Sequence, residues 1–127
     1  MANLACGLTR LGHQVECFVY YPELSFFRQE FEQAGIIVHA FQRTGKGFST
    51  GVLKALWRLK RQGRYDMALS FLDSPNIYNI LSRWFSGQSR LVVSERNSYL
   101  RGESYWPRLA LFSMAHAVVA NSLAQSD

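Results

Sequence analysis

Apolar residues recur along the chain with two periods, about 3.6 and about 2, and segments of the two kinds alternate from end to end. Asn3 to Leu11 reads as an amphipathic helix with Leu4, Leu8 and Leu11 on one face. Gly12 follows, and glycine ends helices because it enters the left-handed region without a Cβ penalty. Val15 to Tyr20 then reads as a strand. Ser25 to Ala34 predicts a second helix, capped by the Ser25 hydroxyl, with Phe27 and Phe31 stacked one turn apart and Gly35 as terminator. Ile36 to Phe41 predicts the second strand.

A loop punctuated by Gly45, Gly47 and Gly51 leads into a third helix that runs to about Gln62. Met67 to Leu72 predicts a third strand. Ser74 and Pro75 open the next helix, since proline lacks only a donor that the first turn leaves unused. Leu91 to Ser94 is a fourth strand, Trp106 to Ala115 a helix with Pro107 near its start, and Ala117 to Ala120 a short fifth strand. Asn121 and Ser122 read as the cap of a helix cut off at Asp127. Strands separated by single helices cannot pair as hairpins. The expected architecture is therefore α/β, a doubly wound parallel sheet covered on both faces, and the near-continuous apolar strands agree. No repeat, low-complexity run or linker marks an internal boundary, and the helix at one end with the cap at the other predicts a piece of something longer.

Composition sets the class. The 127 residues are 48% hydrophobic and 14% aromatic, which supports one core and excludes the disordered class. Cys6 and Cys17 lack C-x-x-C spacing and read as reduced core thiols. No segment has the run of about 18 apolar residues that a membrane span needs, and no signal peptide opens the chain. The cytoplasm is the expected compartment. A net charge of +5 makes an anionic partner plausible, whether membrane surface, nucleotide or nucleic acid.

In an open parallel sheet, ligands bind beyond the carboxyl ends of the strands, where helix amino termini and loop amides converge. That rule selects Tyr20 to Pro22, Thr44 to Gly47, Asp73 and Ser74, Glu95 to Asn97, and Asn121 with Ser122. Glu95, Arg96 and Asn97 put an acceptor, a fixed cation and an amide directly after a buried strand, a set able to hold sugar hydroxyls or a phosphate. The same Glu95 and Arg96 also suit a plain surface ion pair. Asp73 can accept from a ligand hydroxyl, although a helix cap is the simpler reading. Gly45-Lys46-Gly47 lacks both the Walker and the G-x-G-x-x-G spacing and reads as a flexible loop. His13, His39 and His116 are scattered without a second ligand at zinc spacing, so no metal is assigned. No serine has a G-x-S-x-G context, and neither cysteine has an identifiable base, which leaves hydrolase chemistry unsupported.

Arg43, Lys46, Lys54, Arg58, Lys60, Arg61 and Arg64 gather in one stretch without an acid. On the third helix Leu53, Leu56, Trp57 and Leu59 share an arc, with Lys54, Arg58 and Arg61 beside it. Such a helix can touch anionic lipid while packed on a sheet, or it can present a merely solvated face. Nucleic acid is not expected, because the aromatics are not interleaved with the cations as stacking platforms.

Four blocks, in order, carry a family resemblance. Ala2-Asn3-Leu4-Ala5 through Leu11-Gly12-His13-Gln14-Val15 is similar to a first helix with an "L-x-x-x-G-H-x-V" turn. Tyr65-Asp66 to Ser70-Phe71-Leu72, then Ser74-Pro75-Asn76, resembles "YD-x-x-x-SF" and its helix. Ser94-Glu95-Arg96-Asn97 looks like the "SERN" block, and Ala115 to Ser122 resembles "ADAVVANS" with His116 in place of the usual aspartate. The family is the amino-terminal domain of GT-B glycosyltransferases, family 4 of the retaining enzymes, SERN-motif branch.

That resemblance implies hexosyl-type transfer from a nucleotide-sugar to the hydroxyl of a glycan or glycolipid acceptor, with retention, in a cleft between two Rossmann-like domains. This chain corresponds to the acceptor-side domain, with the family's first strand and its carboxyl-terminal, donor-binding domain missing and the isolated fragment inactive. Glu95, Arg96 and Asn97 then line the acceptor cleft, with Asp73 and Ser74 beside them. No catalytic nucleophile is assigned, because the leaving diphosphate is stabilised electrostatically and can itself take the acceptor's proton. No cofactor or metal is implied. Lys54, Trp57, Arg58 and Arg61 become membrane-contact candidates at the inner face of the plasma membrane. A homodimer or altered strand pairing is expected, since an unpaired strand edge invites strand addition. The alternative is a stand-alone Rossmann-like binding or interaction module without catalysis.

Overall fold

Gly12 and Gly35 take φ of 91° and 75°, a region that side chains with a Cβ rarely occupy. They close α1 (Ala2–Arg10) and α2 (Arg28–Gln33) in the same way. The amide of Gly12 donates to the carbonyl of Thr9 and that of His13 to Leu8; those of Gly35 and Ile36 donate to Glu32 and Phe31. Each pair satisfies carbonyls that a helix end otherwise leaves orphaned, and turns the chain directly into a strand. The computed structural model describes residues 2–21, 27–86, 90–95 and 110–120. They divide into two compact units, Met1–Val52 and Leu53–Asp127.

In the first unit β1 (Glu16–Val19) and β2 (Ile37–Ala40) pair in parallel, Glu16 with Ile37 through Val19 with Ala40. Ala2 and Ala5 of α1 are small enough for close approach, and with Phe31 and Ile36 they form the buried core, flanked by Cys6, Val15, Cys17 and Val38. Both thiols are free. Burial, with the neighbouring Cys6 as a smaller cause, pushes the Cys17 thiol above its ordinary range and keeps it protonated at neutral pH. Phe31 enters the core while Phe27 stays about half exposed, so the two rings part company. Helix α2 begins at Arg28, with Phe27 at its cap position and no side-chain cap bond. Ser25, expected to cap it, lies outside the described residues.

Helix α3 (Thr50–Gly63) starts in the first unit, and the rest of it belongs to the second. The second unit continues with β3 (Met67–Phe71), α4 (Asp73–Ser86), β4 (Arg90–Glu95) and β5 (Ala117–Ala120). All three strands are parallel, with β4 central, as expected for a chain whose strands are linked through helices. Leu91 and Val93 of β4 are fully buried, as is Ile80 of α4. The α/β reading with parallel strands therefore holds, but the strands pair in two sheets, β1-β2 and β3-β4-β5, rather than in one ladder. Helix α4 also opens one residue earlier than Ser74, because the amide of Asn76 already donates to the carbonyl of Leu72. Pro75 thus sits in the first turn without breaking an internal bond. Of the helix expected over Trp106 to Ala115, residues 110–112 are helical and residues 106–109 lie outside the described set.

A buried amine bridges two helices of the second unit. Lys60, only 5% exposed, donates from Nζ to the Asn79 carbonyl (3.0 Å), the Asn79 Oδ1 (2.5 Å) and the Ser82 hydroxyl (2.7 Å). Asn79 in turn donates from Nδ2 to the Ala68 carbonyl (3.2 Å) and the Ser70 hydroxyl (2.9 Å). One network thereby ties α3 to α4 and α4 to β3. Every acceptor around Lys60 is neutral, so burial opposes the ammonium form and lowers its pKa from 10.5 to about 8.

A depressed lysine pKa means that the unfolded chain binds more protons between the folded and unfolded values. Burial of the charge weakens the fold below about pH 8, and stability is regained as pH rises from about 8 to 10.5. Lys60→Met removes that titration. The difference in urea midpoint between wild type and Lys60→Met is expected to shift in favour of wild type across this window; a constant difference contradicts the account.

Candidate functional site

Parallel pairing brings three chain ends to one edge. Phe71 pairs with Ser94, Ser94 with Val119, and Glu95 with Ala120, so β3, β4 and β5 finish together. The turn Leu72-Asp73-Ser74 leaves β3 there, the backbone of Glu95 ends β4 there, and Ala120 ends β5 there. Ser74 is exposed in the first turn of α4. The structure thus brings the backbones of Asp73, Ser74 and Glu95 to a common edge. The side chains of Asp73 and Glu95, and the residues Arg96, Asn97, Asn121 and Ser122, lie outside the described set.

Sequence reasoning passed over Asn76. This residue is fully buried in the first turn of α4, and its Nδ2 donates to the Ser94 carbonyl at 3.1 Å. Strand β3 has already turned away after Phe71, and the side-chain amide takes over the place in the ladder that β3 vacates. Its Oδ1 has no hydrogen-bond partner among the described residues. An unmade bond at a buried polar group costs about 1–3 kcal/mol. The turn before it is equally unusual, with Leu72 at φ 71° and about half exposed. A leucine in that region is rare, and such backbone strain concentrates at functional sites. The available signal was the spacing of Asn76, Asn79 and Ser82, small polar residues three apart among Ile77, Tyr78, Ile80 and Leu81.

The carboxyl end of β1-β2 carries a second group of sequence candidates. Amides of Phe41 and Arg43 donate to the carbonyls of Val19 and Tyr20, continuing the ladder past β2. Tyr20 and Tyr21 rings lie 5.1 Å apart, and the Arg43 guanidinium sits 5.5 Å from the Tyr21 centroid. Arg43 also donates to the Tyr21 hydroxyl and the Gly47 carbonyl, which fastens the glycine loop to the strand end. Gly45 and Gly47 both have φ near 80°, so this loop needs its glycines. Pro22 lies outside the described residues.

On α3, Lys54, Arg58 and Arg61 are exposed, as is Arg64 just beyond it, while Leu53, Leu56, Trp57 and Leu59 are half-buried. Arg61 stacks 5.5 Å from the Trp57 ring, so a cation covers the aromatic at the boundary. Lys60, counted with this basic run, faces inward instead. It follows Leu53, Leu56 and Trp57 on the same helical face, and the neutral acceptors of α4 receive it.

His39 and His116 each engage a partner within their own unit. His39 meets Glu16 at 2.6 Å across β1-β2, and His116 Nδ1 accepts from the Leu91 amide at 2.9 Å, pinning the approach to β5. Among the described residues no cluster of His, Cys, Asp and Glu could hold a metal, and no helix is long and apolar enough to cross a membrane. Comparison with protein-family models, with curated proteins and with solved structures finds no match for this chain in any of the three.

Proposed function

We propose that the chain is the acceptor-side, Rossmann-like domain of a retaining GT-B glycosyltransferase acting in glycolipid or polysaccharide assembly. The reading rests on four sequence blocks in order, and the observation that carries it is the common edge of β3, β4 and β5, which Ser94 and Glu95, the opening of one block, share with the turn into Ser74, in the later part of another. In this reading Glu95 and Asn97 accept from and donate to acceptor hydroxyls, Arg96 offsets negative charge, and Asp73 and Ser74 line the same cleft. A nucleotide-sugar enters from a second domain. Its diphosphate leaves as the new glycosidic bond forms on the acceptor oxygen, and the acceptor's proton passes to the departing phosphate.

Strand edges and basic surface add two partners. Among the described residues β1 pairs only with β2 and β3 only with β4, and such edges favour a homodimer by strand addition. The exposed cations of α3 around Trp57 suit an anionic membrane surface, where each Lys or Arg contributes about 1 kcal/mol.

The product of the complete coding region, given labelled nucleotide-sugars and membranes, is expected to label a glycolipid or glycan fraction with retained configuration. Glu95→Gln is expected to lower that rate by about tenfold or more, roughly the value of one charge-assisted hydrogen bond. Absence of transfer with every donor, alongside glycan binding, favours the stand-alone module instead.

Neutralising Lys54, Arg58 and Arg61 together to Gln is expected to weaken binding to phosphatidylglycerol-containing vesicles by about two orders of magnitude at low salt, and to leave neutral vesicles unaffected. Unchanged sedimentation with vesicles contradicts the membrane contact. In light scattering, a mass independent of concentration at the monomer value contradicts the dimer.

A further inference from the structure

Asn76 Oδ1 stands apart from the other polar groups of α4. Asn79 and Ser82 find partners within the unit, whereas this acceptor is buried and has none among the described residues. Its orientation is determined, because the Ser94 carbonyl accepts a hydrogen bond and the amide nitrogen must face it. The oxygen is therefore held on the other side of a fixed amide, in the first turn of α4 and at the carboxyl end of β3 and β4.

We infer that Asn76 Oδ1 is a hydroxyl-reading group that accepts a hydrogen bond from a neutral sugar ring bound at the carboxyl edge of β3 and β4. The ligand must supply a donor, and the position of that donor limits its charge. Helix α4 is 14 residues long and presents its positive dipole end at this point, which disfavours an ammonium group or a metal cation. A neutral donor remains, and the acceptor-side reading makes it a hydroxyl. The first-turn amide of Asp73 is one that the helix itself cannot pair, so an adjacent ligand oxygen can accept where the first hydroxyl donates. Neighbouring hydroxyls on one sugar ring offer both functions at once. Oδ1 is shielded from bulk water, and Leu72, four residues earlier in the strained turn that opens α4, is half exposed.

The inference deepens the acceptor-side reading and rests on it for the choice of a sugar. Its test follows the Asn76 side-chain amide resonances of the full chain during titration with methyl glycosides of glucose, galactose, mannose and N-acetylglucosamine. At least one glycoside is expected to shift the Asn76 Nδ2 signals saturably, and Asn76→Leu, near in volume, is expected to weaken that glycoside by about tenfold or more. The wild-type titration decides alone if Asn76→Leu does not fold. Saturable shifts elsewhere along the edge, with Asn76 silent or Asn76→Leu binding as tightly, overturn the inference while leaving the acceptor reading in place. No shift along the edge with any glycoside overturns both. A long-lived water contact at Asn76 that persists in the glycoside-saturated chain assigns the donor to water and overturns the inference alone.

Discussion

Parallel pairing around a buried central strand is the constraint on which the rest depends. Strand β4 is sealed on both sides by ladders and along its length by Leu91 and Val93, so its polar groups can face a ligand only where the strand ends. Because β3 and β5 run in the same direction and finish in register with it, the first turn of α4 and the last residues of β4 and β5 share that edge. An antiparallel arrangement of the same segments would scatter them over two edges.

The interior of the second unit is polar where it could have been apolar. Lys60, Asn79, Ser82 and Ser70 form a connected set with neutral acceptors throughout, and Asn76 continues the same face of α4 toward the sheet edge. A half-satisfied polar core is costlier than an apolar one. The network that orients α4 on β3 is complete at Lys60 and open at Asn76, so its unmade bond lies next to the turn where a ligand would enter. Position on the helix, and not residue type alone, separates structural amide from candidate binding amide.

Much of this was legible along the chain, and for identifiable reasons. Gly12 and Gly35 announce their helix ends because the left-handed position they fill excludes most other residues. Ala117 to Ala120 has the bounds expected of it, since a short β-branched run between turns has few alternatives. Lys60 was hidden by its charge. It shares a face with Leu53, Leu56 and Trp57, and periodicity alone places it inward, but a cation in a basic run reads as solvated until the acceptors of α4 are seen. The division into two sheets was not legible, because hydrophobic period identifies strands and says nothing of which strand pairs with which. Asn76 was obscured by the Ser-Pro helix start beside it, which invites attention to caps instead of to the buried amide.

Paramagnetic broadening by a nitroxide-tagged glycoside maps the contact surface without assuming which residue binds. The amides of Leu72, Asp73, Glu95 and Ala120 are expected to broaden together, at the edge where the three strands finish. Broadening centred instead on Met67, Arg90 and Ala117, where the same strands begin, would contradict it.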